Sequence, residues 1–445
     1  MNSTTPSVTV VGAGYVGLVT AVGLASLGHD VHLVETGTVR LEMLRRGRIP
    51  IHEAGLQDAF DAATAAGRLT VSDVASDDAG IVMMCVGTPI SDAGASDLSQ
   101  LHAALAALRG RLGPDDILVI RSTMPVGSTR PTIEAAGLAT ARVFTNPEFL
   151  AQGTAVEDFA HPSRIVIGRF PDADPSALEA VLALFDAIDA PRLVVDIEAA
   201  EIIKNGANAF LGLKLSFTNE IASLCEEAGA DVDEVLAGIG ADPRIGRTYM
   251  RPSFGFGGSC LPKELITLAV AGTNLGLPMY VTTAVSTANG ASQERFAERV
   301  ADLVGGLPGR TVGLLGLAFK AGTDDTRDSP ALRLAERLID GGATVHAYDP
   351  AAGPHAAARL PALRVMADAV SVVDGADIVV IATEWPEFRE LPWAALASAS
   401  SRPLIIDGRR LLDAAAMRSM GWTVVQLGDG REPARSVAAA AATRP

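Results

Sequence analysis

Val8-Thr9-Val10-Val11-Gly12-Ala13-Gly14-Tyr15-Val16-Gly17, followed by an Ala/Leu-rich run and then Val31-His32-Leu33-Val34-Glu35, decides the fold. Two short apolar runs flank a glycine turn and a helix-forming segment, which is the pattern of a βαβ unit. Each glycine has its own task. Gly12 makes the tight turn, Gly14 admits a pyrophosphate close to the backbone, and Gly17 lets helix and strand pack closely. Glu35 stands 18 positions after Gly17. A carboxylate there accepts from the adenosine ribose hydroxyls and repels a 2′-phosphate, which favours NAD over NADP.

The pattern repeats outward from this unit. Further strands are expected at 81–86, 117–120 and 164–167. The turns Gly87-Thr88-Pro89 and Ser122-Thr123-Met124-Pro125 follow strand ends, where open α/β sheets bind ligands. Residues 197–227 hold no proline and only two glycines. They read as one helix about 45 Å long, able to link two domains and to form a dimer surface. Near residue 306 a second α/β section begins, with strands expected at 311–316, 345–348, 378–382 and 404–406 and a helix at 330–341. It lacks a full GxGxxG, so any nucleotide there is bound in another way.

Composition bounds the function. The chain has 445 residues, too many for one ordinary core. The formal net charge is −16, which disfavours nucleic acid as a partner. Residues 1–7 are polar and uncharged, and no apolar run reaches the length of a membrane span. Cys85, Cys225 and Cys260 are few and widely spaced, so no metal site or disulfide framework is expected. A reducing, cytoplasmic setting is expected. The Ala-rich last ten or so residues are expected to fray.

A second stretch carries the chemistry: Gly255-Phe256-Gly257-Gly258-Ser259-Cys260-Leu261-Pro262-Lys263-Glu264. It places a cysteine in a flexible turn just ahead of a helix-opening proline. A helix N-terminus favours thiolate. Cys85, inside an apolar strand, and Cys225 read as small buried apolar residues. Of 36 basic residues only Lys204, Lys214, Lys263 and Lys320 are lysines, and lysine is the cation whose pKa can be tuned. Lys204 and Asn208 are four apart and share one helix face, where they can assist alcohol deprotonation and stabilise an oxyanion. Lys214 reads as structural.

Taken in order, several segments resemble the UDP-glucose/GDP-mannose dehydrogenase family over nearly the whole length. They are the glycine turn; Ile49-Pro50-Ile51-His52-Glu53-Ala54-Gly55-Leu56; Cys85-Val86-Gly87-Thr88-Pro89; Asn146-Pro147-Glu148-Phe149-Leu150; Glu201-Ile202-Ile203-Lys204 with Asn208-Ala209-Phe210-Leu211; the Cys260 turn; Gly316-Leu317-Ala318-Phe319-Lys320; and Asp407-Gly408-Arg409. Pro243-Arg244-Ile245-Gly246 and Pro252-Ser253-Phe254-Gly255 place it nearest the UDP-glucose 6-dehydrogenase branch.

The resemblance implies an α/β chain with two Rossmann-like doubly wound domains, joined by a long central helix and a small helical dimerisation region. The boundaries are 1–196 for NAD, 197–300 for the linker carrying Cys260, and 301–445 for the nucleotide sugar. It implies oxidation at C6 of a nucleotide-linked hexose, UDP-glucose to UDP-glucuronate, through a thiohemiacetal and thioester on Cys260. Catalytic positions are Cys260, Lys204, Asn208, Glu264, Glu148, Gln152 and Thr123. Cofactor contacts fall on Gly12, Gly14, Tyr15, Val16, Gly17, Glu35, Arg40, Gly87, Thr88, Thr123, Glu148, Lys263 and Arg327. Substrate contacts fall on Phe149, Leu150, Lys204, Asn208, Arg244, Tyr249, Phe254, Gly257, Phe319, Lys320 and Arg409. Arg244 is expected to reach the partner subunit's site in a homodimer.

Two residues depart from the family pattern. Gln152 stands where Glu is usual and Glu264 where Asp is usual. Gln cannot act as a base, so a single oxidation is an alternative. So is the same chemistry on dTDP-glucose, GDP-mannose or a UDP-N-acetylhexosamine.

Overall fold

The computed structural model describes residues 7–75, 80–91 and 96–431. The expectations for residues 1–6 and for the Ala-rich end lie outside the described residues. The chain divides into two compact units. One takes the residues up to Ala207 together with Ile266–Pro278, and the other Asn208–Leu265 with Met279 onward.

The first unit is built on eight strands. They are β1 (Val8–Val11), β2 (Val31–Val34), β3 (Leu69–Ser72), β4 (Ile81–Met84), β5 (Ile117–Ile120), β6 (Val143–Thr145), β7 (Ile165–Arg169) and β8 (Arg192–Asp196). Their order is β3-β2-β1-β4-β5-β6-β7-β8. All neighbours pair in parallel except β6 with β7. Alternate side chains supply two apolar layers. Val8, Val10, Leu33, Ile81, Met83 and Val119 bury on one face, and Val82, Met84, Leu118 and Ile120 on the other. A sheet covered on both faces has continuous apolar strands rather than an apolar–polar alternation, as Ile117-Leu118-Val119-Ile120 shows.

The second unit holds β9 (Thr311–Leu315), β10 (Thr344–Tyr348), β11 (Arg364–Val365), β12 (Ile378–Ile381), β13 (Leu404–Asp407) and β14 (Thr423–Gln426). Their order is β11-β10-β9-β12-β13-β14, all parallel. Val312, Leu314, Val380 and Ile406 bury on one side, and Leu315, Val379, Ile381 and Ile405 on the other. Both sheets are Rossmann-like.

The expected long helix is present as Ile197–Ala228, 32 residues, and the unit boundary falls within its length. Five strands were not expected from the residues: β3, β6, β8, β11 and β14. All five are brief or sit at a sheet edge. β8 is largely exposed, and its apolar run, Leu193-Val194-Val195, is only three residues long. The reversal of β7 was also unforeseen, because strand direction follows the path of the chain and not its residue pattern.

Candidate active site

In the first unit the strand order reverses between β1 and β4, and the Gly12 turn and Cys85-Val86-Gly87 lie at that point. Such a switch point opens a crevice at the carboxyl ends of the strands. The three glycines separate by what surrounds them. Gly12 has φ of +100°, and a Cβ there would come within 2.9 Å of the Cys85 carbonyl oxygen. A Cβ on Gly17 would overlap the Gly12 carbonyl oxygen at 1.8 Å. A Cβ on Gly14 would meet no protein atom within 4 Å. Packing therefore explains Gly12 and Gly17 but not Gly14, which faces open space at the N-terminus of the helix Tyr15–Ser26. That is where a pyrophosphate sits against helix N–H groups. Glu35 is buried, accepting from Ala13 N at 3.2 Å and Gly37 N at 2.6 Å. Its carboxylate is thus fixed beside the turn, with lone pairs left over for hydroxyl donors. These residues fit a dinucleotide.

Around this turn, Thr88 is buried and donates to the Thr123 carbonyl oxygen at 2.9 Å. That bond joins two of the expected cofactor positions. Val16 packs against the core, and Arg40 lies exposed beyond β2. Cys85 is buried under the turn, and burial pushes its thiol up to about 12 despite the charge of Arg121. Burial thus disfavours its thiolate, in keeping with the reading of Cys85 as a small buried apolar residue.

Glu148 and Lys204 form a buried ion pair, Oε1 to Nζ at 3.0 Å, with both side chains no more than 5% exposed. The other Glu148 oxygen accepts from Leu150 N at 2.7 Å. Burial pushes this carboxyl up. The Lys204 charge, the Leu150 bond and Arg121 outweigh it, so the pKa ends below the ordinary range. Phe149 lies under both Lys204 and Arg164, whose charges sit 5.6 and 3.8 Å from the ring centroid. The sequence reading placed these residues in one site but did not foresee the pairing, which links positions 56 apart. Asn208, one turn beyond Lys204 on the same continuous helix, is half-buried. Gln152 lies in the turn just before the helix Ala155–Ala160.

Three residues with no expected role support these segments. Glu53 accepts from the Tyr15 hydroxyl, from Gly153 N and from Ala155 N. Glu201 accepts from Gly127 N and Thr129 N, tying down the turn after Pro125. Arg121 is buried and donates to Thr20 Oγ1 and to Asn146. Glu53 and Glu201 lie in the segments that carried the resemblance, and that position was the one signal available for them.

In the second unit, Cys260 precedes the helix Leu261–Asn274 directly. Its carbonyl oxygen accepts the first helical bond, from Glu264 N at 2.9 Å. The cysteine is therefore the N-cap, at the positive end of the helix dipole. It is half-buried, with Ser259 Oγ 3.6 Å from its sulfur. Gly258 N donates to the Arg327 carbonyl oxygen at 3.1 Å, which ties the cysteine turn to the segment 325–328. The Arg327 pKa is raised chiefly by its bond to Asp325, with the nearby Cys260 charge adding to that. The Phe319 ring lies against Gly258, where a Cβ would come within 2.8 Å. Gly257 is closed in by the Asp328 carbonyl oxygen. Glu264 is buried in the helix's first turn, next to half-buried Lys263.

Arg409 is buried, donates to the Ala382 carbonyl oxygen at 2.7 Å and stands over Phe254 at 5.0 Å. That donor is Nε, which also lies 3.5 Å from Glu384 Oε2, while the terminal Nη2 is buried without a hydrogen-bond partner, as expected of a group that can receive an acceptor. Phe254 is itself core, stacked on Phe296 at 4.4 Å, so its ring serves as a platform under Arg409. Lys320 is half-buried beside Phe319. Arg244 is exposed and paired with Asp242, and Lys214 donates to the Ile245 carbonyl oxygen in the same loop. Tyr249 is exposed with φ of 60°.

A dinucleotide turn in one unit and a cysteine at a helix tip in the other define a nicotinamide-dependent oxidoreductase. Three family models match in succession: the NAD binding domain of the UDP-glucose/GDP-mannose dehydrogenase family over 6–189, its central domain over 198–291 and its UDP binding domain over 313–414. The UDP-glucose 6-dehydrogenase of Pseudomonas aeruginosa is 38% identical, over 97% of this chain and 99% of that one. YwqF of Bacillus subtilis, also a UDP-glucose 6-dehydrogenase, is 37% identical over 91% and 93%. A UDP-glucose dehydrogenase structure from Pyrobaculum islandicum matches with TM-score 0.84 and 36% identity, covering 95% and 99%. The chain belongs to the UDP-glucose/GDP-mannose dehydrogenase family. It is an NAD-dependent nucleotide-sugar dehydrogenase. Among the described residues, no helix is long and apolar enough to cross a membrane.

Proposed function

We propose that the chain oxidises UDP-glucose to UDP-glucuronate in two steps at C6. The observation that carries the reading is Cys260, a half-buried thiol at a helix N-terminus with Arg327 nearby. NAD bound at the glycine turn supplies the hydride acceptor for each oxidation. Lys204, paired with Glu148, stabilises the developing C6 oxyanion as the hydroxyl proton leaves to water, and Asn208 donates to it. The Cys260 thiolate then adds to the C6 aldehyde as a thiohemiacetal, whose oxidation leaves a thioester. Water hydrolyses the thioester, with Glu148 the carboxylate at hand. Arg409, through Nη2, and Lys320 hold the nucleotide diphosphate.

We assign the residues to 1–196 for NAD, 197–300 for dimerisation and the nucleophile, and 301–445 for the nucleotide sugar. The chain forms a homodimer, in which Arg244 serves the partner subunit's site. Phe210, Phe217 and Leu224 support this reading, since they repeat every seven residues on the long helix and are 61, 43 and 63% exposed. Three free thiols suit a reducing cytoplasm. A second reading, a single oxidation, draws on Gln152, which cannot take a proton.

The test is NADH formed per UDP-glucose consumed, with NAD in excess. Two NADH with UDP-glucuronate as product support the thioester route, and Cys260→Ser then stops after one oxidation. One NADH in the native chain favours the second reading. No turnover on UDP-glucose, with turnover on another nucleotide hexose, overturns the substrate.

A further inference from the structure

Glu53 is a buried carboxylate, 6% exposed, that gathers three donors from two distant segments. The Tyr15 hydroxyl donates to its Oε2 from within the glycine turn. Gly153 N donates to the same oxygen at 2.6 Å, and Ala155 N to Oε1 at 2.9 Å. Two of these donors lie 100 and 102 positions away, at the far end of the loop that begins at Phe149. The near end of that loop is pinned by Glu148, which accepts from Leu150 N. The middle is pinned by Asp158, which accepts from Ala151 N at 2.9 Å. Three buried or half-buried carboxylates therefore hold one short loop. Only Glu53 also holds the cofactor turn.

We propose that Glu53 is a positioning residue coupling the dinucleotide turn to loop 149–155, so that NAD binding orders the segment carrying Phe149, Leu150 and Gln152. Tyr15 is the moving part. Its backbone belongs to the turn that closes on the pyrophosphate, and its hydroxyl ends on Glu53. Burial and the Glu53 charge push the phenol well above its ordinary range, so it stays a donor at every working pH. A ligand that stiffens the turn stiffens the loop through this bond, and by reciprocity an ordered loop favours the cofactor. The significance of the loop for the sugar rests on the proposed function; the coupling itself does not.

Amide hydrogen exchange of the 149–156 peptide tests the coupling in the full-length chain, with and without saturating NADH. In the native chain NADH slows exchange by about tenfold, and in Tyr15→Phe by less than about twofold at saturation. Glu53→Gln turns an NH2 group towards two backbone donors. It speeds exchange at Gly153 and Ala155 without NADH, and it serves as the second probe if Tyr15→Phe folds poorly. A residue that only supported the fold would leave the NADH response of the peptide intact. Equal slowing in native and Tyr15→Phe chains, or no slowing in the native chain, overturns the proposal. UDP-glucose turnover is scored separately. A chain with the exchange effect that leaves UDP-glucose untouched keeps the coupling and loses the substrate assignment.

Discussion

At Glu148, burial and charge pull in opposite directions, and the charge of Lys204 wins. The carboxyl is depressed in the folded chain, so its contribution is fully present above the unfolded value of about 4.3 and is lost as pH falls through the lower folded value. Glu148→Gln should therefore remove part of the acid-induced loss of stability seen below about pH 4.3 in urea melts. At neutral pH the same change breaks a buried ion pair by removing one partner, which costs about 3–5 kcal/mol. A variant within about 1 kcal/mol of native at pH 7 would show that the pair is replaceable by a neutral bond. Cysteine chemistry divides just as sharply. Cys260 caps a helix and is half-buried, whereas Cys85 is buried with its thiol pushed up to about 12. Iodoacetamide at pH 8 should label Cys260 first, and saturating nucleotide sugar should slow that labelling. Labelling of Cys85 at an equal rate would contradict this assignment.

Helices and turns carry the next scale. Gly14→Ala should leave the melting temperature near native, because its Cβ meets nothing. It should weaken NAD binding by about 10–100-fold, because the methyl occupies the pyrophosphate's place. Gly17→Ala should destabilise the chain, since its Cβ overlaps a carbonyl oxygen. Calorimetry on the two variants separates the ligand glycine from the packing glycine. Phe210→Glu tests the long helix in the same way. A charge within the heptad stripe should turn the proposed dimer into monomer by light scattering, with little change in helix content by circular dichroism, because the side chain is exposed in a single chain.

These elements were legible to different degrees. The glycine turn, the 32-residue helix and the helix after Cys260 were readable, because each has a local cause: a positive φ, a long absence of breakers, or a proline at the second helical position. The exposed β8, the reversed β7, the Glu148–Lys204 pair and the three-way hub at Glu53 were not. They depend on residues dozens of positions apart, and a single chain leaves no local mark of such meetings.

At the scale of the whole molecule, two similar sheets differ in the turn that follows their first strand. In the second unit Gly316 follows β9 with φ of +99°, packed against Thr383, much as Gly12 packs against Cys85 in the first. The next two N–H groups, Leu317 and Ala318, would face a phosphate in a dinucleotide turn. Here they donate to Asp349 Oδ2 at 2.7 and 2.9 Å, and Trp385 Nε1 donates to the same oxygen at 3.0 Å. Asp349 Oδ1 accepts from Ala351 N and Ala352 N. Asp349 thus holds its turn as Glu35 holds Ala13 N in the first unit, but it takes the Ala318 N–H as well as that of Leu317, leaving one donor fewer for an anion. No helix follows Gly316 directly; the next begins at Pro330. With no helix N-terminus at this turn, we propose that the second unit holds its nucleotide elsewhere, near the buried Nη2 of Arg409. Equilibrium titration should give one NADH and one UDP per chain, with neither displacing the other. Two NADH per chain, or displacement of NADH by UDP, would mean that the second turn still takes a dinucleotide.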